Sequence, residues 1–176
     1  MTRYRIDPTR SRLAIDATSS VHPIHSETTG LEGWVELGVD GDGAVDGSVE
    51  PAAHVELRVE RLRSNNPMED RELRRRVDLD RYPTISGDLL SMEATGRKGR
   101  YLVRGDVTFR GVTRPSTDEL QLSSDGGDAI RLRGSSVFDI RDFGMKPPKV
   151  LLFKVAPEIT VTVDVVAEKT IAQKED

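Results

Sequence analysis

The stretch YLVRGDVTFR, residues 101–110, alternates between two kinds of side chain from Val103 onwards. Polar residues stand at Arg104, Asp106 and Thr108, and between them lie Tyr101, Val103, Gly105, Val107 and Phe109. A period of two is typical of a β-strand that covers a core with one face and meets water with the other. The stretch therefore predicts an antiparallel strand.

The same alternation recurs along the whole chain. It is found in residues 12–17, 31–39, 55–60, 130–138 and 159–165. Glycine-rich segments at 40–43, 96–99 and 125–128 separate some of these runs, and such segments are typical of hairpin turns because glycine accepts a positive φ. About eight strands with short connections predict an all-β barrel or sandwich, and we expect a single antiparallel barrel.

One segment departs from the strand pattern and predicts a short helix over residues 66–77. Asn66 suits the N-cap, Pro67 the first helical position and Glu69 the third position of a capping box. Three arginines, at 74–76, follow near the helix end, where they complement the helix dipole. We interpret them as a solvated helix end; the alternative is a basic patch for lipid headgroups or nucleic acid.

Composition limits the partners that the protein can be expected to have. The 176 residues carry a net charge of −4 with a pI near 5.5, which argues against nucleic acid or an anionic membrane as the main partner. There is no cysteine, and no apolar run approaches the length of a signal peptide or a membrane span. We expect one domain over residues 1–176 with a short polar tail at about 169–176, a cytoplasmic location and no stable membrane insertion.

In the middle strands, small residues stand at several of the alternate positions that are otherwise apolar, namely Gly87, Gly105, Gly134 and Ser136. They either leave space along the barrel axis for an elongated apolar ligand, or mark bends and bulges that let the sheet close. The first interpretation predicts that the ligand is bound by Leu13, Ile15, Val35, Leu57, Gly87, Leu89, Val103, Gly105, Val107, Leu132, Gly134, Ser136, Phe138, Val161 and Val163.

Catalytic patterns are weak. A nucleophile elbow and a phosphate-binding glycine loop are both missing from the sequence, and we interpret Asp142-Phe143-Gly144 as a turn after a strand. His22, His25 and Glu27 could offer metal ligands from one loop, although Pro23 interrupts their spacing. We expect no enzymatic activity. The alternatives are a metal-dependent or other enzyme that uses this loop, and an interaction module with a filled barrel.

Several blocks of sequence together resemble one family. The chain opens with Tyr4-x-Ile6-Asp7-Pro8-x-x-Ser11, and it continues with RYPTI at 81–85, GDVT at 105–108, GVTRP at 111–115 and IRDFG at 140–144. In this order and spacing the blocks resemble the YceI-like family of polyisoprenoid-binding proteins, from about Tyr4 to Ala167.

The resemblance implies an extended lipocalin-like barrel of eight antiparallel strands that holds a long isoprenoid chain, such as a polyprenyl or quinone tail. It implies a hydrophobic small molecule as the partner, no cofactor other than that lipid, and a homodimer. Many family members are periplasmic, but the signal peptide is missing here. The segments at 18–23 and 74–77 also depart from the family pattern, the second by replacing a phenylalanine pair with arginines.

Overall fold

A computed structural model describes residues 1–147, 149–150 and 153–170 of the chain. It contains one helix, α1 (Pro67–Val77), and two 3₁₀ turns, Val59–Arg61 and Ile140–Phe143. The strands are β1 (Thr2–Ile6), β2 (Arg12–Ser19), β3 (Pro23–Thr29), β4 (Glu32–Leu37), β5 (Ala52–Arg58), β6 (Thr84–Ala94), β7 (Arg100–Phe109), β8 (Val112–Asp125), β9 (Ala129–Asp139), β10 (Lys149–Val150) and β11 (Phe153–Lys169).

These strands close into an eight-stranded antiparallel barrel. The sheet closes because β1 pairs with β4 on one side and with β11 on the other. β1 and β2 lie end to end along β11, as the pairs Ile6↔Ala167 and Leu13↔Val163 demonstrate. β3 and β4 follow each other in the same way along β2 and β1, and the short β10 pairs only with β11. The predicted fold class is confirmed. Two of the eight strands of the barrel wall each consist of two segments, β1 with β2 and β3 with β4.

The break between β1 and β2 is stabilised by side chains. The Asp7 carboxylate accepts hydrogen bonds from the backbone N–H groups of Thr9 (2.9 Å) and Arg10 (3.3 Å), which shapes the turn. Ser11 is fully buried; its Oγ donates to the Val166 carbonyl (3.1 Å) and accepts from the Val166 N–H (3.0 Å). The serine side chain thus takes the place of strand pairing where the main chain leaves the ladder.

Two of the interior glycines, Gly105 and Gly134, play different parts. The pairing of β6 with β7 shifts register between Leu89 and Ser91, opposite Gly105. A Cβ on Gly105 would lie 2.5 Å from the Asp88 carbonyl oxygen, so Gly105 permits a close approach of two backbones at this bulge. A Cβ on Gly134 would have its nearest neighbour at 3.5 Å, so it would make only ordinary van der Waals contacts there. Gly105 is therefore needed for closure of the sheet, whereas the position of Gly134 accepts an added Cβ without a clash.

Three of the sequence blocks meet at one end of the barrel. The Tyr82 ring packs over Gly111, where an added Cβ would lie 3.0 Å from the ring. Arg110 Nη1 donates to the Gly144 carbonyl (2.7 Å), and Arg114 Nε donates to the Asp142 carbonyl (2.9 Å). Residues 140–143 form a 3₁₀ turn directly after β9, as the prediction of a turn requires.

Helix α1 begins as predicted, but its capping box does not form. The Asn66 side chain accepts a hydrogen bond from the Met68 N–H (3.0 Å), and Pro67 is the first helical residue. The Asn66 N–H donates to Ser64 Oγ (3.3 Å), the bond that a capping box would have given to Glu69. At the helix end, Glu72 forms ion pairs with Arg75 and Arg76. Of the three arginines predicted to be solvated, Arg75 is exposed, whereas Arg74 and Arg76 are partly buried.

The carboxyl-terminal strand reaches the first residue of the predicted polar tail. β11 includes Lys169, and the Thr170 N–H donates to the Arg3 carbonyl (2.9 Å). Residues 171–176 of the predicted tail lie outside the described residues. A single domain over residues 1–176 stays a prediction. Among the described residues, no helix has the length and apolar character needed to cross a membrane.

Replacing Ser11 tests the side-chain bonds at the break between β1 and β2. We expect Ser11→Ala to lower the free energy of unfolding by about 1–3 kcal/mol, because the Val166 N–H would stay buried without its acceptor. Urea unfolding followed by circular dichroism measures this. Ser135→Ala is the matched control, since the exposed Ser135 hydroxyl contacts only Thr162 across β11 (3.2 Å). An equal, small effect of both substitutions would contradict the role given to Ser11.

Alanine substitution distinguishes the two kinds of interior glycine. Gly105→Ala should destabilise the fold by about 1–3 kcal/mol, because its Cβ would overlap the Asp88 carbonyl oxygen. Gly134→Ala should change stability little, since its Cβ meets only ordinary contacts. Thermal and urea unfolding of both variants measure the difference. Similar destabilisation by the two substitutions would mean that both glycines serve closure.

Candidate ligand-binding cavity

The barrel encloses a cavity of about 470 Å³ whose wall is mainly apolar. Every residue of the predicted ligand-binding set lines it: Leu13, Ile15, Val35, Leu57, Gly87, Leu89, Val103, Gly105, Val107, Leu132, Gly134, Ser136, Phe138, Val161 and Val163. The period-two alternation places these side chains inward, since directly paired residues such as Gly87 and Val107 share one face of the sheet. Contact of these residues with a ligand stays a prediction.

Part of the lining comes from segments outside the regular strands. Leu73 of α1 lines the cavity, and so do Leu62, Phe143 and Met145 from the loops that close the barrel end. Leu73 and Val77 are four residues apart in the sequence, and this spacing predicts that both lie on one apolar face of the helix. The loop residues carry no periodic signal, because a loop has no repeating direction for its side chains.

A small polar group lies in the wall between β8 and β9. These strands pair only from Leu120↔Gly134 to Asp125↔Ala129, so residues 112–119 and 135–139 pair with their other neighbours. Ser116 and Asp118 line the cavity there, and Ser116 Oγ donates to the Asp118 carboxylate. Ser116 Oγ also lies 3.5 Å from Ser136 Oγ. The sequence gives no alternation signal for Ser116 and Asp118, because residues 113–119 carry polar side chains on both faces of the strand.

A second polar group lies where α1 covers the barrel end. The Glu69 side chain lines the cavity and is only 11% exposed. Its Oε1 atom is buried without a hydrogen-bond partner. His22 Nε2 lies 3.8 Å from this oxygen, beyond hydrogen-bond distance. Glu69 was predicted only as a capping residue.

The loop suggested as a metal site does not bring its three residues together. His25 Nδ1 contacts Asp16 Oδ1 (2.6 Å), and its Nε2 lies 3.6 Å from Glu27 Oε2. His22 instead contacts the Pro23 carbonyl and faces Glu69. Across the part of the chain that the structure describes, three or more His, Asp or Glu side chains never gather in an arrangement that could hold a metal ion.

The carboxylates around His25 change its acid–base behaviour. The hydrogen bond to Asp16 and the charge of Asp16 raise the pKa of His25 above its ordinary value of 6.5, and Glu27 adds to the effect. A raised pKa means that the imidazolium is stabilised by folding. His54 Nδ1 contacts Asp88 Oδ1 (2.7 Å), and both residues are part of the cavity lining.

A closed eight-stranded barrel with an apolar internal cavity defines a lipocalin-like protein. The sequence model of the YceI-like domain matches residues 4–167. The chain therefore belongs to the YceI-like family, as its sequence blocks indicated.

Curated relatives are found in Pseudomonas. A protein of Pseudomonas savastanoi pv. phaseolicola named UPF0312 protein is 28% identical over 118 residues, and one of Pseudomonas putida is 29% identical over 119 residues. Each match covers 62% of this chain and 61% of the relative. The chain thus spans about three fifths of the length of the curated relatives it matches.

Solved structures share the fold at low sequence identity. BcnA of Burkholderia cenocepacia superimposes with a TM-score of 0.74 at 15% identity, covering 92% of this chain and 98% of BcnA. A polyisoprenoid-binding domain from Saccharophagus degradans gives 0.75 at 12% identity, covering 97% and 100%. A YceI protein of Campylobacter jejuni gives 0.67 at 13% identity, covering 86% and 88%. At these identities the likeness establishes the fold.

The raised pKa of His25 predicts a pH-dependent contribution to stability. Because the folded pKa lies above the unfolded one, the contribution is full below 6.5 and is lost as pH rises through the folded value. NMR titration of the His25 ring should give a pKa above 6.5 that falls in Asp16→Asn and falls less in Glu27→Gln. The stability difference between wild type and Asp16→Asn should shrink as pH rises. An unchanged His25 titration in Asp16→Asn would contradict the assignment.

Proposed function

We propose that this protein binds an elongated apolar lipid of the isoprenoid type, with a polyprenyl or quinone tail, inside the barrel, and that it carries or stores this lipid without chemical change. The observation that carries the proposal is the cavity itself. Its volume of about 470 Å³ falls within the range of about 300–1,000 Å³ that small-molecule sites occupy.

The wall of the cavity matches such a ligand chemically. An isoprenoid chain is a branched hydrocarbon, and it gains about 25 cal/mol for each Å² of apolar surface removed from water. Leu, Ile, Val and Phe side chains supply most of the wall, and Gly134 provides room without adding a polar atom.

The comparisons support this assignment without fixing the ligand. The name of the Saccharophagus degradans domain describes polyisoprenoid binding by that protein, and its barrel covers nearly the whole of this chain. Membership of the YceI-like family points in the same direction. The polyisoprenoid or quinone nature of the ligand is our proposal for this chain.

The polar groups near the cavity support binding rather than turnover. Ser116, which lines the cavity, donates to Asp118, and neither is paired with an imidazole. The imidazole of His25 contacts the Asp16 carboxylate, and that of His54 contacts the Asp88 carboxylate. A nucleophile adjacent to a base is the arrangement that covalent catalysis needs, and these contacts do not provide it.

The two alternative functions have less support. An interaction module needs a filled barrel, whereas this barrel encloses a cavity. A metal enzyme at the His22, His25 and Glu27 loop needs convergent ligands, whereas His22 turns towards Glu69. The homodimer and the cytoplasmic location stay predictions; analytical ultracentrifugation and cell fractionation of the native host test them.

Lipid analysis tests the proposed function directly. Protein purified from its own host should carry a stoichiometric apolar molecule in native mass spectrometry, and organic extraction should release an isoprenoid. Delipidated protein should bind polyprenyl and quinone compounds in a fluorescence-quenching titration. The proposal is overturned if no lipid co-purifies and none of these compounds binds.

Filling the space beside Gly134 should impair binding. We expect Gly134→Leu to weaken the affinity for a polyprenyl ligand by about tenfold or more, since displacing about two buried methylenes at ~0.8 kcal/mol each is sufficient for this loss. Thr162→Leu is the matched control, because it places a leucine on the exposed face of the neighbouring strand β11, outside the cavity lining. Circular dichroism verifies folding of both variants. Equal affinities would mean that Gly134 does not border the ligand.

A further inference from the structure

The Glu69 carboxylate is an unusual group to find at the edge of an apolar cavity. Its Oε1 atom has neither solvent contact nor a hydrogen-bond partner. A buried polar atom of this kind costs free energy unless a partner satisfies it, and each such atom in a folded protein needs an explanation. His22 Nε2 lies 3.8 Å from this oxygen, too far away to form a hydrogen bond with it.

Neighbouring carboxylates are satisfied within the protein. Asp70 accepts hydrogen bonds from the N–H and the hydroxyl of Ser64, both at 2.8 Å. Glu72 accepts from Arg75 and Arg76, which lower its pKa. Asp118, in the wall between β8 and β9, accepts from Ser116. Glu69 therefore differs from these acids because one of its carboxylate oxygens is buried and accepts no hydrogen bond within the protein.

The local structure explains why Glu69 is available. In a capping box this side chain would turn back to the N-cap N–H. Ser64 Oγ takes that N–H instead, so the Glu69 carboxylate is left directed at the cavity. Among the described residues, Arg110 Nε is the other buried side-chain atom without a partner, and Arg110 is not part of the cavity lining.

An ionised carboxylate accepts hydrogen bonds and cannot donate them, which restricts the end groups that it can bind. A hydroxyl group supplies the missing donor. An ether, an ester or an oxidised quinone offers only acceptors, and a diphosphate would place further negative charge beside the carboxylate. A plain hydrocarbon end would leave Oε1 unsatisfied.

We propose that the bound lipid ends in a hydroxyl group, as an isoprenoid alcohol does, and that Glu69 accepts the hydrogen bond from this hydroxyl where α1 covers the barrel. The inference rests on the proposed function and adds the chemistry and position of the ligand's polar end. The apolar tail then extends from α1 along the Val, Leu and Ile wall.

Two ligands with the same chain test the end group. Geranylgeraniol and geranylgeranyl methyl ether differ at the terminal oxygen, which carries a proton only in the alcohol. The wild-type protein, freed of lipid, should bind the alcohol about tenfold or more tightly than the ether, as expected for a hydrogen bond to a charged acceptor. Geranylgeranyl diphosphate should bind more weakly than the alcohol. Competition against a fluorescent fatty probe gives all three affinities.

Three variants assign the effect to Glu69. The ratio of the alcohol and ether affinities should fall to about one in Glu69→Ala and to an intermediate value in Glu69→Gln, whose amide is a neutral acceptor. Asp118→Asn is the control, since it changes an acid of the same cavity that already has a partner. It should keep the wild-type ratio. Because the measurement is a ratio within one variant, a modest loss of stability does not alter it.

The outcomes separate this inference from the proposed function. If the wild type binds both ligands equally well, the hydroxyl assignment is overturned and isoprenoid binding stands. If neither ligand nor the diphosphate binds, both proposals fail. If Asp118→Asn removes the preference and Glu69→Ala keeps it, the polar end lies between β8 and β9, and the role of Glu69 is wrong.

Discussion

Closure of the sheet through the pairing of β1 with β11 is the constraint on which the rest of the structure depends. An open sheet would expose an edge and one apolar face, whereas a closed one removes both problems. With eight wall positions the interior is wide enough for either side chains or one small ligand. Here glycine and serine occupy inward positions at Gly87, Gly134 and Ser136, and the cavity is the space that the wall residues leave.

Several of the sequence blocks make contacts that hold the closed barrel together. The opening block supplies Ser11, whose hydroxyl bonds replace strand pairing beside β11. The later blocks meet at the end of the barrel, where Arg110 and Arg114 bind carbonyl groups of the turn after β9 and Tyr82 packs over Gly111. These contacts fix the loops around the cavity.

The interior combines a large apolar wall with very few polar groups, and their state of hydrogen bonding distinguishes them. Asp118 is satisfied by Ser116, whereas one oxygen of Glu69 has no partner. An apolar wall binds a hydrocarbon chain in many positions, because the hydrophobic effect has no direction. A single unsatisfied acceptor at one end can give such a ligand a defined orientation.

The sequence by itself determined the fold class, the inward phase of the strands and the cap of α1, because alternation and capping are local properties of the chain. Tertiary structure decided the rest. The sequence could not separate Gly105 from Gly134, since only the position of the Asp88 carbonyl shows that one permits a bulge and the other leaves space. It placed Glu69 in a capping box, because the competing acceptor Ser64 and the cavity beside it exist only once distant strands have closed around them.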